Sequence, residues 1–440
     1  MTVSHSFEMG ARVRPCAMAW RLSHLSLALG LSLQAFVGPR LGRFPCRRVE
    51  MHADWDEFSG DLDGSLDESD PLQAVQAMRK EDLRRRSHAA EVGHVPVQES
   101  ESVDAVLGTM MGTLAEGLYV DGTFGRGGHS RSVLARLAPT GRLRAFDVDP
   151  RAIEVARALE EEDPRFKIFH RPFGEMEEAL QGEEVDGVLM DLGVSNNQAE
   201  DDLRISDDTP LDLRLNPSHG VPAADWLQEV SVEELAWVIY TYGEDDPVIS
   251  DRIAERVLRH QRQRGRSYRS TGELAEVIKA VKRWSFPLDG PRPGKYMNQV
   301  NPAKKTLNGI RVFLNRELQQ LEEGLVGAMN LLKMGGRCAV LTFSPPERRV
   351  VHEFFRNHED APAEDVRELS PQRLVELYPL AATRCTFSVK RRSTPRTAGG
   401  SEFAMRPRAR SSALLVLQKC PRTCPMSDGS DALVVPPVAD

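Results

Sequence analysis

Four short β-rich segments alternate with helical segments between residues 117 and 193, and this alternation restricts the fold more than any other feature of the chain. The segments are GLYVDGT (117–123), RLRAFDVD (142–149), FKIFHRP (166–172) and VDGVLMDLG (185–193). Gly, Asp or Pro lies at or near the end of each segment, as expected where a strand stops. Strands that alternate with helices pair in parallel and carry helices on both faces of the sheet. The sequence therefore predicts an α/β domain.

A helical region interrupts this pattern. Ser231 with Glu234, and Ser270 with Glu273, match the capping box that marks a helix start. The alternation of strands and helices stops between these signals, which predicts an insertion in the sheet domain. The predicted folded parts are a first sheet region at 91–204, a helical insertion at 205–300 and a second sheet region at 301–419.

The alternation resumes in the last part of the chain. Apolar residues recur every three or four positions from Leu307 to Leu332, which predicts one long helix. Three β-rich segments follow it: GGRCAVLTFS (335–344), RCTFSVKRR (384–392) and ARSSALLVLQK (409–419). Seven strands with a glycine-rich turn after the first are the order expected of a nucleotide-cofactor sheet.

The charge balance excludes a protein held on nucleic acid by its overall charge. The 440 residues carry a formal net charge of −8, so a binding site for a polyanion has to be a local patch. The six cysteines show no CxxC spacing and are too few for a disulfide scaffold. We expect inert thiols and no metal site.

The two ends of the chain differ from the middle. Residues 1–50 contain Arg but no Lys, and the apolar stretch 22–38 precedes an Arg-rich segment, as in a targeting presequence. AFVGP (35–39) is similar to the junction of two-part plastid presequences, which favours a plastid, with a mitochondrion as the alternative. An apolar helix packed on the domain would explain the same stretch. Residues 51–90 are predicted to be an acidic disordered linker, and 420–440 a disordered tail.

The turn after the first strand, YVDGTFGRGGHSRSVL (119–134), exposes an unusual amount of backbone. Its glycines are Gly122, Gly125, Gly127 and Gly128, a spacing that does not give the G-x-G-x-x-G of dinucleotide-binding proteins. Backbone N–H groups at such a turn can approach a carboxylate or phosphate closely. The turn therefore predicts a cofactor other than a dinucleotide, and a tight turn without a ligand is the alternative.

Acidic residues end the second and fourth segments. Asp147 lies where a carboxylate can accept hydrogen bonds from both ribose hydroxyls of an adenosine cofactor. Asp149 has a structural role as the cap of the next helix, with Pro150 at its first position. Asp191 could accept a hydrogen bond from a substrate amine, or could merely cap a loop, and Gln198 could contact an adenine edge.

Several motifs, in order from about His94 to Lys419, resemble the ribosomal RNA small-subunit methyltransferase H family. They are YVDGTFGRGGHSR, FDVDPRAIEVAR, RPFGEM, GVLMDLGVSNNQ, PLDLRLNP, TYGEDD, NPAKKTLNGIRVFLNRELQQLEEGL and RPRARSSALLVL. Members of this family transfer a methyl group from S-adenosylmethionine to N4 of a cytosine in the decoding region of small-subunit ribosomal RNA. The resemblance implies the seven-stranded, Rossmann-like sheet of class I methyltransferases with a helical insertion.

The resemblance also implies the site and the partners. Asp191 becomes the candidate hydrogen-bond acceptor for the N4 amine. The partner is small-subunit ribosomal RNA or the assembled small subunit, with no stable membrane association, and the oligomeric state is left open. The implied S-adenosylmethionine-binding residues are Gly127, Gly128, His129, Asp147, Phe173, Asp191 and Gln198.

Contact with RNA requires a local basic surface. Runs of Arg and Lys occur at 259–270, 282–284, 304–305 and 406–410, in and around the predicted insertion. A solvated helix face would explain any one of these runs equally well. Since the sequence lacks the Asp/Asn-Pro-Pro-aromatic motif of many amino-methyltransferases, Tyr242 is a candidate for stacking on the base.

Three segments depart from the family pattern. These are HVPVQ (94–98), RISDDTP (204–210) and FSPPER (343–348), which replace family motifs in loops expected to face the substrate. The departures leave open a second function, that of a non-catalytic ribosome-assembly or RNA-binding factor with the same fold. A nicotinamide dehydrogenase is disfavoured by the glycine spacing.

Overall fold

The computed structural model describes residues 96–108, 114–193, 209–285, 302–392 and 412–423. The described part contains seven strands. They are β1 (Leu118–Asp121), β2 (Arg142–Asp147), β3 (Phe166–His170), β4 (Val185–Asp191), β5 (Leu332–Thr342), β6 (Phe387–Arg391) and β7 (Ala413–Pro421).

The strands form a single sheet in the order β3-β2-β1-β4-β5-β7-β6. The first five strands are parallel, whereas β7 runs antiparallel between β5 and β6. This is the seven-stranded Rossmann-like sheet of class I methyltransferases, so the predicted fold is confirmed. The order places β1 next to β4 at the centre of the sheet, where the chain reverses its direction of winding. Open α/β sheets bind ligands at this switch point, outside the carboxyl ends of the strands.

Helices cover both faces of the sheet or build the insertion. In chain order they are α1 (Glu99–Leu107), α2 (Gly128–Leu134), α3 (Pro150–Glu162), α4 (Met176–Ala179), α5 (Ala223–Glu229), α6 (Val232–Gly243), α7 (Pro247–Arg264), α8 (Thr271–Ser285), α9 (Lys304–Leu314), α10 (Glu317–Leu331), α11 (Pro345–His358), α12 (Ala363–Glu368) and α13 (Pro371–Leu377). The predicted start of α3 is confirmed, since Asp149 caps it by accepting the Arg151 N–H at 2.9 Å.

The alternation of side chains along the strands separates two apolar cores. Successive residues of a strand point to opposite faces, so Leu189 packs on one side of the sheet and Met190 on the other. The core around Met190 includes residues of α10 and α11, and the core around Leu189 includes residues of α1, α2 and α3. A third core, that of the insertion, joins α5 to α8 with α9. The insertion core thus extends to Ala303, Leu307 and Ile310, beyond residue 300.

The prediction of one long helix from Leu307 to Leu332 is wrong. The structure has two helices, α9 and α10, separated at Asn315 and Arg316. Arg316 adopts a left-handed backbone with φ of 53°, which ends the helical path although the leucine spacing continues across it. Leu332 already belongs to β5. The break turns α9 toward the insertion core and lets α10 cover the sheet.

Candidate active site at the carboxyl edge of the sheet

A cavity of about 810 Å³ lies at the carboxyl ends of β1, β2 and β4. One wall comes from the sheet edge and the turns that follow its strands, and the other comes from the insertion and the α9–α10 junction. The sheet wall includes Gly122, Thr123, Gly125, Gly128, His129, Asp147, Phe173 and Asp191. The insertion wall includes Leu215, Asn216, His219, Tyr242, Asn308, Val312, Asn315 and Arg316.

The glycine-rich turn is held against the end of β2. The Gly125 N–H donates to Asp147 Oδ2 at 2.7 Å, and the Phe124 N–H donates to the Phe146 carbonyl at 3.0 Å. Gly127, with φ of 79°, caps α2, and a Cβ there would lie 2.7 Å from the Phe124 ring. A side chain at Gly127 would therefore be strained by both its backbone and its neighbour. Gly127 shapes the turn but is not among the residues that line the cavity.

Asp147 is half-buried at the end of β2 and faces the cavity. Its Oδ1 accepts the Asp149 N–H at 2.9 Å, and its Oδ2 accepts the Gly125 N–H. Burial raises the pKa of Asp147, and the two backbone N–H groups oppose that rise. The carboxylate thus joins the end of β2, the cap of α3 and the glycine-rich turn.

Asp121, at the end of β1, was not identified from the sequence. It is 1% exposed, and its two oxygens accept the Thr123 N–H at 3.0 Å and the Ser130 hydroxyl at 2.6 Å. Burial raises the pKa of Asp121 to about 6. The residue ties β1 to the first turn of α2 and thereby fixes the glycine-rich turn between them. Its position in the DGT motif, directly after an apolar strand, is the signal that could have identified it.

We expect the Asp121→Asn substitution to remove a pH dependence of folding. Because the folded state binds the proton more tightly than the unfolded state, the contribution of Asp121 to the free energy of unfolding falls as pH rises from about 4 to about 6, and is constant above. The difference from the ordinary 3.8 corresponds to about 3 kcal/mol. Denaturant unfolding of both proteins across this range should show the wild type losing stability relative to the variant. Parallel curves would contradict the prediction.

His129 and Asp191 meet in the sheet wall. His129 Nδ1 lies 3.4 Å from Asp191 Oδ2, and the side chain of His129 is 5% exposed whereas that of Asp191 is 25% exposed. The Asp191 N–H donates to the Thr123 hydroxyl at 2.7 Å, which joins the end of β4 to the turn after β1. The buried imidazole and the partly exposed carboxylate therefore form one unit that faces the cavity.

Phe173 lies in a 3-10 turn, Phe173–Glu175, directly after β3. Its ring packs against α10 where Gly324 leaves room, since a Cβ at Gly324 would lie 2.5 Å from that ring. The next residue, Gly174, donates its N–H to Gln320 Oε1 at 3.2 Å. Contacts with α10 thus hold Phe173 at the cavity. Gln198 lies outside the described residues.

The comparisons with known proteins identify the family. The model of the MraW methylase family matches residues 91–420. The chain belongs to the MraW methylase family. It is 41% identical over 335 residues to the ribosomal RNA small subunit methyltransferase H of Burkholderia vietnamiensis, which covers 75% of this chain and 98% of the relative. The protein of the same name from Burkholderia cenocepacia is 40% identical with the same coverage. The resemblance inferred from the motifs is therefore confirmed.

Two solved structures share lower similarity with this MraW methylase. One is an rRNA methylase from Streptococcus thermophilus, 11% identical with a TM-score of 0.29, covering 73% of this chain and 94% of that one. The other is a SAM-dependent O-methyltransferase from Thermotoga maritima, 8% identical with a TM-score of 0.30, covering 74% of this chain and 66% of that one.

As a MraW methylase, the chain is an S-adenosylmethionine-dependent methyltransferase. The cavity fits such a cofactor in volume, since ligand pockets commonly measure about 300–1,000 Å³. At Gly125, no atom lies within 4 Å of the place that a Cβ would occupy, so bare backbone faces open space there. The described residues that would hold the cofactor by the family resemblance and that line this cavity are Gly128, His129, Asp147, Phe173 and Asp191.

The insertion supplies an aromatic group to the cavity of this methylase. Tyr242 lines the cavity, and its ring contacts those of Trp237 at 5.5 Å and Phe313 at 5.6 Å between centroids. Burial raises the pKa of Tyr242. Trp237 is 50% exposed, so the group has one face toward solvent. The structure thus places the sequence candidate Tyr242 at the cavity, within a group of aromatic rings.

The departure FSPPER forms a helix cap and not an irregular loop. The Ser344 hydroxyl accepts the Glu347 N–H at 3.4 Å, and Glu347 Oε2 accepts the Ser344 N–H at 3.0 Å, which makes a capping box for α11. Pro345 occupies the first helical position. Phe343 and Glu347 nevertheless line the cavity, so the altered segment belongs to the site.

Part of the predicted basic surface is used inside the fold. Lys282 is 6% exposed and donates to Asp245 at 2.7 and 2.8 Å, so its assignment to an exposed basic surface is wrong. Arg264 and Arg266 pair with Glu273, and Tyr268 is 1% exposed in the insertion core. The exposed basic residues of the described runs include Arg262, Arg269, Arg283 and Lys305. Residues 406–410 lie outside the described part.

Neither a metal centre nor a membrane span is found in the part of the chain that the structure describes. No group of three or more His, Cys, Asp or Glu side chains there is arranged to hold a metal ion. No helix among these residues is both long and apolar enough to cross a membrane.

Proposed function

We propose that the protein transfers the methyl group of S-adenosylmethionine to N4 of a cytosine in small-subunit ribosomal RNA, in an organelle. The names of the relatives, whose length the alignment covers almost completely, support the ribosomal RNA substrate. The motif set of the methyltransferase H family supports cytosine N4. The presequence pattern in residues 1–50, which lie outside the described part, supports an organelle, with a plastid favoured over a mitochondrion.

The position of Asp191 carries this proposal. It is 25% exposed toward a cavity whose sheet wall also contains Gly128, His129, Asp147 and Phe173. Among the described residues, the opposite wall, built by the insertion, contains none of those that the family resemblance assigns to the cofactor. The insertion side is therefore available to a methyl acceptor that reaches Asp191.

The chemistry requires alignment of a weak nucleophile. The lone pair of cytosine N4 is delocalised into the ring, so the amine has to be held in line with the methyl donor as it becomes tetrahedral. S-adenosylmethionine, when bound, supplies an electrophilic methyl group. Asp191 accepts a hydrogen bond from the amine, and His129 at 3.4 Å orients the carboxylate. Positioning and preorganised electrostatics of this kind supply most of the rate acceleration.

The test uses full-length protein and small ribosomal subunits from organelles in which the gene is inactivated. We expect incorporation of one methyl group per subunit and the appearance of N4-methylcytidine by nucleoside mass spectrometry. Small subunits from organelles with the intact gene serve as the control. They already carry the methyl group, so they should accept no further one. Binding of subunits and of S-adenosylmethionine without methylation would instead favour the non-catalytic assembly factor. Methylation of another nucleoside would overturn the assignment of cytosine N4.

A further inference from the structure

Two residues other than glycine have left-handed backbones close to the same junction. Leu213, in the PLDLRLNP segment, has φ of 64°, and Arg316, between α9 and α10, has φ of 53°. A branched or bulky residue rarely adopts this conformation, and it persists only where the surrounding structure holds it. Leu213 is 4% exposed within the insertion core, so its side chain is anchored.

The side chain of Asn315 connects these two strained positions. Its Nδ2 donates to the Leu213 carbonyl at 2.8 Å and to the Arg311 carbonyl at 2.8 Å. Its Oδ1 accepts the Leu215 N–H at 2.8 Å. Both amide protons and the amide oxygen are thus used, so the amide orientation is determined by its partners. One side chain clamps the segment 211–220 to the end of α9.

The clamped segment forms part of the insertion wall. Leu215, Asn216 and His219 line the same cavity as Asp191, and Asn315 lines it too. None of these four is among the cofactor positions implied by the family resemblance. The Arg214 side chain pairs with Asp212 within the segment itself.

We propose that Asn315 is a positioning residue for the methyl acceptor: it holds the segment 211–220 in a strained conformation that shapes the acceptor half of the cavity. This inference rests on the proposed function. Loss of the clamp should loosen the segment, weaken acceptor binding and misalign the acceptor amine, while the sheet wall with Asp147 stays intact. Because both ends of the clamp lie in the insertion wall, the clamp controls the shape of that wall.

The test compares Asn315→Asp with Gln261→Glu. The first variant is isosteric but sets a carboxylate oxygen against the carbonyls of Leu213 and Arg311. The second introduces the same charge and removes a similar donor, since Gln261 Nε2 donates to the Leu227 carbonyl at 2.9 Å, outside the cavity lining. Asn315→Ser serves as a neutral second variant if Asn315→Asp does not fold. Thermal unfolding of each variant establishes that it is folded.

Three measurements distinguish the outcomes. Hydrogen exchange of segment 211–220 should accelerate about tenfold or more in the Asn315 variants and not in Gln261→Glu. For small ribosomal subunits as substrate, kcat/KM should fall roughly tenfold to a hundredfold. The Kd of S-adenosylmethionine should stay unchanged. Unchanged exchange of the segment overturns the clamp even if the wild type is inactive, and accelerated exchange with unchanged kcat/KM overturns the positioning role. Failure of the wild type to methylate the subunits overturns the proposed function alone.

Discussion

Replacing Asp191 by Asn should lower the rate of methyl transfer by about a hundredfold to a thousandfold, as does loss of one preorganised polar contact in other active sites. The substitution keeps the size of the side chain but exchanges one acceptor oxygen for an amide donor. In the protein, Asp191 Oδ2 lies 3.4 Å from His129 Nδ1 and its side chain is partly exposed to the cavity. An amide N–H group that faces the acceptor amine cannot accept a hydrogen bond from it, so the attacking nitrogen loses its hydrogen-bond acceptor.

A matched control for Asp191→Asn lies on the same strand. Asp186, near the start of β4, accepts the Leu118 N–H at 2.9 Å and pairs with Lys333 at 2.8 Å, and it does not line the cavity. Asp186→Asn should keep its methyl-transfer rate while changing stability. Single-turnover rates with saturating cofactor and small subunits separate the chemical step from binding. If the Asp191→Asn enzyme kept the wild-type single-turnover rate, Asp191 would have no role in the methyl-transfer step.

The second large effect is expected at Asp147. Asn at this position cannot accept both the Gly125 N–H at 2.7 Å and the Asp149 N–H at 2.9 Å. It would also present a weaker acceptor to the ribose hydroxyls that we expect Asp147 to bind. Hydrogen bonds to a charged acceptor contribute about 1.5–3 kcal/mol each, so the affinity for S-adenosylmethionine should fall roughly tenfold to a hundredfold. Isothermal titration calorimetry measures this directly.

Asp149→Asn provides the control for Asp147→Asn. Asn is as good a helix cap as Asp, so the cap of α3, where Asp149 accepts the Arg151 N–H, should persist and the cofactor affinity should change little. Equal losses of affinity in both variants would show that the effect arises from the helix start and not from ribose recognition. Because burial raises the pKa of Asp147, acidification should weaken cofactor binding at a higher pH than for an ordinary Asp.

The elements that could be predicted from the sequence depend on contacts between near neighbours. The strand segments, the cap at Asp149 and the start signals at Ser231 and Ser270 all use residues a few positions apart. The convergence of Asp147 and Asp191 at one cavity also follows from the pattern, since parallel strands end at the same edge of a sheet. The motifs themselves were sufficient to identify the family.

The features that the sequence did not reveal arise from contacts between distant segments. The leucine spacing continues through Arg316, so the break between α9 and α10 has no local signal. The sequence around Lys282 does not distinguish it from an exposed lysine. Its burial depends on the contact with Asp245, which is 37 residues away along the chain. The structural role of Asp121 becomes visible only in the fold, where the Ser130 hydroxyl donates to its carboxylate.

The sequence alone was sufficient to predict the alternating sheet, a helix start such as that at Asp149, and the family. The shape of the insertion wall follows only from the tertiary structure, because that wall depends on the contact of Asn315 with Leu213, which is 102 positions away along the chain. Local periodicity reports which face of an element is buried, but it does not report which distant backbone group a buried amide will meet. The partner of the Asn315 amide is determined only when segment 211–220 packs against the end of α9.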